Sequence, residues 1–330
     1  MFSFPVKISI ITPSFNQGNY IEKTIDSVLS QNYPDLEYII IDGGSTDNSV
    51  EVIKKYAKYL TYWVSEKDKG QSHAINKGLK LATGEVVNWI NSDDWYYPDT
   101  LHKVASAFED ENILVVSGKG SVWQDNRIRN TNPGADIYPE FEKTVGWARI
   151  DQPETFFRHS AIIKMGLLNT DLHYVMDREW WIRFLLHFGQ DRVKKVEDLL
   201  VNFRLHENSK SYNFQNLFSE EALNVYYSIA RQNNLKEEVC MLESEFKVAY
   251  IDSLQYNQIA DMTLLKKIIH YFLFLEGRLK YADNELALAA RFLKLVDKRM
   301  LQAKDRSELR QLKIRTALMP AWLKKIVNKR

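Results

Sequence analysis

The strongest constraint on the fold is the regular alternation of short apolar runs and amphipathic segments in the first hundred residues. Runs such as KISIIT and LEYIII are rich in β-branched residues, which is typical of buried strands. The intervening segments place apolar residues on one helical stripe, as Ile21, Ile25 and Val28 do. The alternation indicates an α/β fold with a mostly parallel central sheet flanked by helices. It predicts strands at 7–12, 36–41, 60–64 and 86–90 and helices at 20–29, 49–59 and 71–82.

The rest of the chain follows a different pattern. A further strand is predicted at 115–123, and a polar loop at 124–139. Beyond about residue 214 the pattern is helical, and no strand is predicted there. We therefore expect an α/β domain at 1–213 and an α-helical C-terminal region at 214–330.

Basic residues are concentrated at the C-terminal end. Residues 291–330 hold thirteen Lys or Arg against three Asp or Glu, a balance of +10, although the whole chain carries only +1. Residues 312–330 resemble a basic amphipathic helix, which could contact an anionic membrane surface or dock on a protein partner or its own domain. The helices at 214–312 could support a homo-oligomer.

Composition limits the cellular setting. The chain has one cysteine and therefore no intrachain disulfide, which fits a reducing compartment. No run of about 18 apolar residues is present, so no membrane-spanning helix is predicted. The N-terminal segment is predicted to form the first strand and not a signal peptide. We expect a cytoplasmic protein, peripheral on the inner face of the membrane if its tail binds there, with no nucleic-acid partner.

Distinctive polar residues follow three of the predicted strands. They are Thr12-Pro13-Ser14, Asp42-Gly43-Gly44 and Asp93-Asp94. Ligands of open α/β sheets bind beyond the carboxyl ends of the strands, so these segments should open on one crevice.

Asp93 and Asp94 are adjacent acids at a strand end. They repel each other unless a cation or hydrogen-bond donors offset the charge. A divalent cation with oxygen ligands would do so, and Mg²⁺ or Mn²⁺ often joins one or two carboxylates to substrate phosphates. The alternative is that the pair caps the next helix or is solvated in a loop.

Three further residues have both a functional and a structural interpretation. Asp42 could contact a nucleotide or simply stabilise a strand-to-helix turn, since neither a G-x-G-x-x-G nor a G-x-x-x-x-G-K-[ST] motif is present. Asp177 could be a general base or an acid that interacts with a helix dipole. His206 could be a ligand or a structural residue.

Four segments, in this order, resemble the signatures of family 2 glycosyltransferases, which have the GT-A fold. The segment KISIITPSFNQGNYIEKTIDSVLSQNYPDLEYIIIDGGSTDNS resembles the amino-terminal signature, and SEKDKGQSHAINKGLKLATGEVVNWINSDD resembles the one that ends in the DXD-type metal motif. VMDREWWIRF resembles the catalytic-base segment, and FRLHENSKS resembles the closing segment of many members. The resemblance covers about residues 6–211 and implies that 1–213 is the catalytic domain.

The resemblance implies specific roles for the candidate residues. Asp177 would be the catalytic base, and Asp94 and His206 would hold Mn²⁺ or Mg²⁺. Asp93 would face the ribose and diphosphate. The remaining nucleotide-binding residues would be Thr12, Pro13, Ser14, Asp42 and Asp68. Many members have a second acid where this chain has Gly43, so the base of the donor is left open between UDP and GDP types.

The implied reaction is the transfer of a sugar, with inversion, from a nucleotide-sugar to a hydroxyl of a saccharide or lipid-linked saccharide, in surface or extracellular polysaccharide synthesis. A nucleotidyltransferase is a weaker alternative, because TPSFNQGNY lacks the glycine-rich loop and the basic residues that would hold a triphosphate. A non-catalytic nucleotide-binding domain is a second alternative, and the presence of both Asp94 and Asp177 argues against it.

Overall fold

The computed structural model describes residues 6–207, 209, 215–256 and 261–318. Its strands are β1 Ile8–Ser14, β2 Leu36–Asp42, β3 Tyr62–Ser65, β4 Val86–Trp89, β5 Trp95–Tyr96, β6 Val115–Gln124, β7 Arg127–Asn132, β8 Thr155–Arg158 and β9 Val193–Arg204. Its helices are α1 Ile21–Leu29, α2 Ser49–Tyr56, α3 Gln71–Leu81, α4 Thr100–Ala107, α5 Phe141–Trp147, α6 His159–Met165, α7 Met176–Phe188, α8 Gln215–Gln232, α9 Lys236–Glu245, α10 Met262–Ala282, α11 Leu286–Leu295 and α12 Ala303–Leu318.

The strands form one sheet with the order β3-β2-β1-β4-β8-β6-β9-β5, and β7 pairs with β6. The four strands of the N-terminal pattern run parallel, which confirms the predicted α/β architecture. Beyond β4 the sheet is mixed, because β8 runs antiparallel to both β4 and β6 while β6 and β9 are parallel. Apart from β6, which matches the strand predicted at 115–123, the strands of this part were not predicted, since the regular strand-helix alternation is missing there.

Complete burial of β1 explains why its sequence lacks exposed charged residues and does not alternate between apolar and charged positions. All seven of its residues are buried, because helices cover both faces of a parallel sheet. On one face Ile10 belongs to a core cluster with Ile25 of α1 and Ile40 of β2. On the other face, Ile11 lies against Gly78 of α3. A Cβ added to Gly78 would stand 2.4 Å from Cγ2 of Ile11.

The predicted polar loop at 124–139 contains a strand instead. β7 forms a hairpin with β6, and the turn between them consists of Asp125 and Asn126, both with positive φ. Asp and Asn tolerate this conformation, which two-residue hairpin turns require. Because β7 is almost wholly exposed, its sequence RIRNTN lacks the apolar alternation by which strands are recognised.

The described residues divide into two compact units. The first comprises 1–136 and 149–218 and contains the sheet, and the second comprises 137–148 and 219–330 and is helical wherever it has regular structure. The sequence-based boundary at 213 therefore differs from this division at 137–148, which contains α5. The boundary of the catalytic domain stays a prediction.

Close contacts between α5 and α10 explain why residues 137–148 belong to the helical unit. Gly146 lets the helices approach, since an added Cβ would lie 2.6 Å from the Cβ of Tyr271. The Lys143 ammonium lies 2.7 Å from a carboxylate oxygen of Asp305, and the Tyr271 hydroxyl donates to the same carboxylate over 3.0 Å. Both Tyr271 and Asp305 lie more than 120 residues beyond α5 in sequence, so no local pattern indicates the contact.

No helix within the described residues has the length and apolarity needed to cross a membrane. The distal part of the predicted basic tail, residues 319–330, lies outside the described residues. The membrane, partner and oligomer predictions for this region remain predictions.

We expect Gly78→Ala to lower the free energy of unfolding by about 1 to 3 kcal/mol, because the new methyl group overpacks the contact with Ile11. At a helix position without such a contact, the same substitution would raise the free energy of unfolding by up to about 1 kcal/mol. Urea unfolding measures the difference, with Lys80→Ala on the same helix as the control. The cost should shrink in an Ile11→Ala background, and an equal cost in both backgrounds would contradict the proposed clash.

Candidate functional site

The carboxyl ends of β1, β2 and β4 meet at one edge of the sheet, as predicted. Ser14 is the register partner of Asp42, and the amide of Gly43 donates to the Ser14 carbonyl over 2.8 Å. On the other side of β1, the amide of Ile90 donates to the carbonyl of Ile11 over 2.9 Å. The three polar segments named from the sequence are thus neighbours across the sheet.

Asp42 organises the loop that follows β2. Its carboxylate is completely buried and accepts hydrogen bonds from the amides of Gly44 and Ser45, at 3.1 and 2.9 Å. The hydroxyls of Ser45 and Ser65 donate to it as well, at 2.5 and 2.6 Å. With four donors, this buried negative charge is well compensated. The carboxylate therefore has a structural role, and its predicted contact with the nucleotide is not tested by these bonds.

Asp68 lies beside Gly43, the residue after the end of β2. A Cβ at Gly43 would stand 2.7 Å from Oδ2 of Asp68, so the absent side chain makes room for this carboxylate. The other oxygen, Oδ1, accepts the amide of Gly70 over 2.8 Å. The structure thus brings Asp68, which was predicted to bind the nucleotide, to the end of β2.

The side chains of Thr12, Pro13 and Ser14 are buried at the end of β1. The hydroxyl of Thr12 lies 3.1 Å from that of Tyr38 and is fully enclosed. The backbone of Ser14 is engaged by Gly43, as described above. These three residues therefore shape the edge of the sheet mainly through their backbone.

Asp94 points into the protein. It is 1% exposed, and its Oδ1 accepts the backbone amide of Arg204 over 2.9 Å. Burial, and then the charge of Asp93, raise the pKa of the Asp94 carboxyl well above its usual range. This environment favours the neutral form of the Asp94 carboxyl.

Asp93 instead carries the accessible carboxylate of the pair. Its Oδ2 lies 2.9 Å from Nε2 of His206, and its backbone carbonyl accepts Nε of Arg204 over 3.0 Å. The His206 ring also packs against Tyr20, with 4.8 Å between ring centroids. The structure therefore places His206 beside Asp93, whereas the sequence had grouped it with Asp94 as a metal ligand.

Asp177 lies in the first turn of α7 and is half-buried. The helix is anchored by the aromatic packing of Trp180, and the segment before it is anchored by hydrogen bonds to α3. The Trp180 ring stands edge-on to those of Phe157 and Trp89, with centroids 4.6 and 6.2 Å apart. Asn76 of α3 bonds with both the amide and the carbonyl of Leu168 in the preceding segment. The position of Asp177 is thus fixed by contacts with the sheet and with α3.

Further acidic groups lie near Asp177. Arg149 bridges Asp136 and Asp151, with nitrogen–oxygen distances of 3.3 and 2.7 Å. Burial raises the pKa of Asp151 to about 6, the charges of Asp136 and Asp177 add to this rise, and Arg149 opposes it. Glu154 is 1% exposed, and burial followed by the charge of Asp151 raises the pKa of its carboxyl.

The aromatic residues after the acid pair serve packing. Trp95 and Tyr96 form β5 and are buried, and Tyr96 accepts a hydrogen bond from Asn88 over 3.1 Å. The hydroxyl of Tyr97 lies 2.9 Å from that of Ser121. The burial of Trp95 and Tyr96 indicates that these two side chains pack within the protein.

Arg204 was the main residue that sequence reasoning missed. It bonds to both acids, through its amide to Asp94 and its side chain to Asp93. Its spacing two residues before His206 in FRLH was the available signal, since alternate residues of a strand lie on the same side.

Comparison with known proteins agrees with this architecture. The model of the family described as "Glycosyl transferase family 2" matches residues 9–187, which is more than half of the chain. The chain therefore belongs to glycosyltransferase family 2, and the resemblance noted in its sequence is confirmed.

Related sequences are bacterial. An uncharacterized glycosyltransferase of Rickettsia typhi is 26% identical over 216 residues, which cover 61% of this chain and 64% of that protein. The putative glycosyltransferase EpsH of Bacillus subtilis is 27% identical over 70% of this chain and 71% of its own length. The alignment thus spans slightly less than two thirds of the Rickettsia protein.

Solved structures share the fold. S. aureus TarS, residues 1–349, aligns with a TM-score of 0.59 and 18% identity, covering 94% of this chain and 88% of that one. The mannosyltransferase PcManGT of Pyrobaculum calidifontis aligns with a TM-score of 0.55 and 17% identity, covering 99% and 89%. The predicted GT-A fold is confirmed.

We expect Asp42→Asn to lower the free energy of unfolding by about 1 to 3 kcal/mol, because an amide cannot accept from all the donors that surround this buried carboxylate. Chemical denaturation measures the effect. Glu51→Gln, the same chemical change at an exposed position of α2, should alter stability by less than about 0.5 kcal/mol. Equal stability of the two variants would contradict the structural role of Asp42.

Proposed function

We propose that the protein is an inverting glycosyltransferase that moves a sugar from a UDP- or GDP-type nucleotide-sugar to an acceptor hydroxyl. The observation that carries this proposal is the pairing of Asp93 with His206 at the same sheet edge as Asp42 and Asp68. This edge is where ligands of parallel α/β sheets bind. Asp177 supplies a carboxylate on a separately anchored helix.

The fold neighbours support a nucleotide-sugar as donor. TarS has been solved in complexes with UDP-GlcNAc and with UDP, and PcManGT with GDP-Man and Mn²⁺. The two neighbours carry different bases, so both UDP and GDP remain candidates for this chain. The carboxylate of Asp68 beside Gly43 is our candidate for contacting the base.

Asp93 and His206 fit a divalent cation better than Asp94 does. A carboxylate and an imidazole suit Mn²⁺, and substrate phosphates commonly complete such sites. No group of three or more His, Cys, Asp or Glu in the described part of the chain is placed to hold a metal, so the diphosphate would have to supply further ligands. When bound, the cation would neutralise the charge that the leaving diphosphate gains.

The metal assignment is tested by comparing Asp93→Asn with Asp94→Asn. We expect UDP or GDP to raise the unfolding temperature of the wild type more with Mn²⁺ than without it. This metal-dependent increment should disappear in Asp93→Asn and persist in Asp94→Asn, because the buried Asp94 carboxyl already faces a backbone amide.

If the increment disappeared in Asp94→Asn and persisted in Asp93→Asn, Asp94 would be the metal ligand, as the sequence predicted. If neither nucleoside diphosphate shifts the unfolding temperature of the wild type at any Mn²⁺ concentration, the transferase proposal itself fails.

Asp177 is proposed as the general base that takes the proton of the acceptor hydroxyl as this oxygen attacks the anomeric carbon. Attack opposite the leaving diphosphate gives inversion. The neighbouring Arg149–Asp151 pair would keep the surroundings of the base polar without neutralising Asp177 directly.

We expect Asp177→Asn to reduce transfer by about 10²- to 10⁴-fold while the dissociation constant of the nucleoside diphosphate changes little. Single-turnover transfer and calorimetric binding separate the two effects. Asp171→Asn, an exposed acid shortly before α7, is the control and should transfer at the wild-type rate. If Asp177→Asn transferred sugar at the wild-type rate, Asp177 would not be the general base.

The acceptor is proposed to be a saccharide or lipid-linked saccharide of a surface polysaccharide. The support is the bacterial family context and the net basic character of residues 291–330. Peripheral membrane contact through 312–330, cytoplasmic location and self-association through 214–312 belong to the same proposal.

A further inference from the structure

Two cations lie beside the Asp93–His206 pair and share one aromatic ring. The ammonium of Lys23, on α1, stands 3.5 Å from the ring centroid of Trp95, and the guanidinium of Arg204 stands 4.7 Å from the same centroid. Arg204 also lies over Tyr20, at 5.0 Å, and this ring packs against His206. The cluster is therefore continuous with the candidate metal ligands.

The two cations of this cluster lack direct carboxylate partners. Among the described residues, neither Lys23 nor Arg204 forms an ion pair with a carboxylate, and the segments that the structure leaves undescribed contain no Asp or Glu. The side-chain hydrogen bond of Arg204 goes to a backbone carbonyl, that of Asp93. Partial burial, and next the charge of Arg204, lower the pKa of the Lys23 ammonium.

The rigid surroundings keep these two like charges close together. Trp95 is held in β5, which pairs with β9 next to Arg204, and its ring packs against Trp123 with centroids 5.4 Å apart. Trp123 in turn donates to Asn202 over 2.6 Å. Holding two cations on one buried ring costs electrostatic free energy, which a multivalent anion placed between or beside them would offset.

We propose that Lys23 and Arg204 form a phosphate-binding subsite next to Asp93 and His206. The identity of the bound phosphate rests on the proposed function, whereas the existence of the subsite does not depend on it. Two sources share this chemistry: the diphosphate of the nucleotide and a phosphate carried by a lipid-linked acceptor. Lys23 is exposed and has a flexible stem, so it can reach a phosphate oxygen, whereas Arg204 is fixed by its bond to Asp93.

Binding of inorganic pyrophosphate tests the subsite without reference to the sugar or the base. We expect Lys23→Met, which keeps the stem on Trp95 and removes the charge, to bind pyrophosphate about tenfold more weakly than the wild type. Lys23→Arg should restore the affinity to within about threefold, because it keeps the positive charge. Lys80→Met, at an exposed position of α3, should bind like the wild type. Titration calorimetry at low ionic strength measures all four proteins, and equal affinities overturn the proposal.

The source of the phosphate is decided by two further titrations. If the subsite holds the donor, Lys23→Met should also weaken UDP or GDP binding in the presence of Mn²⁺. If the subsite holds the acceptor phosphate, Lys23→Met should bind the nucleotide as tightly as the wild type does. With both proteins saturated with nucleotide, inorganic phosphate should then bind more weakly to Lys23→Met than to the wild type. A wild type that binds pyrophosphate but neither nucleotide would refute the proposed function and leave the subsite supported.

Discussion

The hydrogen bond from the backbone amide of Arg204 to the Asp94 carboxyl joins the end of β9 to the turn after β4. It spans 110 positions in sequence and connects the parallel part of the sheet to the mixed part. Because the amide of Arg204 bonds to one acid, its side chain reaches the carbonyl of the other, and His206 follows two residues later beside Asp93. The candidate site thus depends on where β9 ends.

Three buried or half-buried acids at the sheet edge are stabilised in different ways. Asp42 is surrounded by four donors from its own loop and from β3, so its charge is offset locally. Asp94 has one backbone donor and full burial, which favour its neutral form. Asp93 faces an imidazole and retains solvent exposure, and it is the acid that we propose as the metal ligand. Adjacent acids in sequence therefore have different environments, and the proposed roles of Asp93 and Asp94 differ for this reason.

Much of the first unit could be predicted from local sequence. Strands and helices up to β4 were placed to within about three residues, because burial on both faces imposes a strong pattern on parallel strands. β7 was missed because an exposed edge hairpin needs no apolar alternation. The inclusion of α5 in the helical unit was missed because it depends on distant partners such as Tyr271 and Asp305.

The sequence by itself determined the α/β class, the family and the set of polar residues at the strand ends. Each of these can be recognised from local residue patterns and from the order of the motifs. Only the tertiary structure decided which acid turns inward, which one meets His206, and that Lys23 and Arg204 share the ring of Trp95. The physical reason is that side-chain environment depends on burial and on partners that the chain brings from far away. A sequence motif does not distinguish Asp93 from Asp94, whereas the fold gives the two residues different chemical environments.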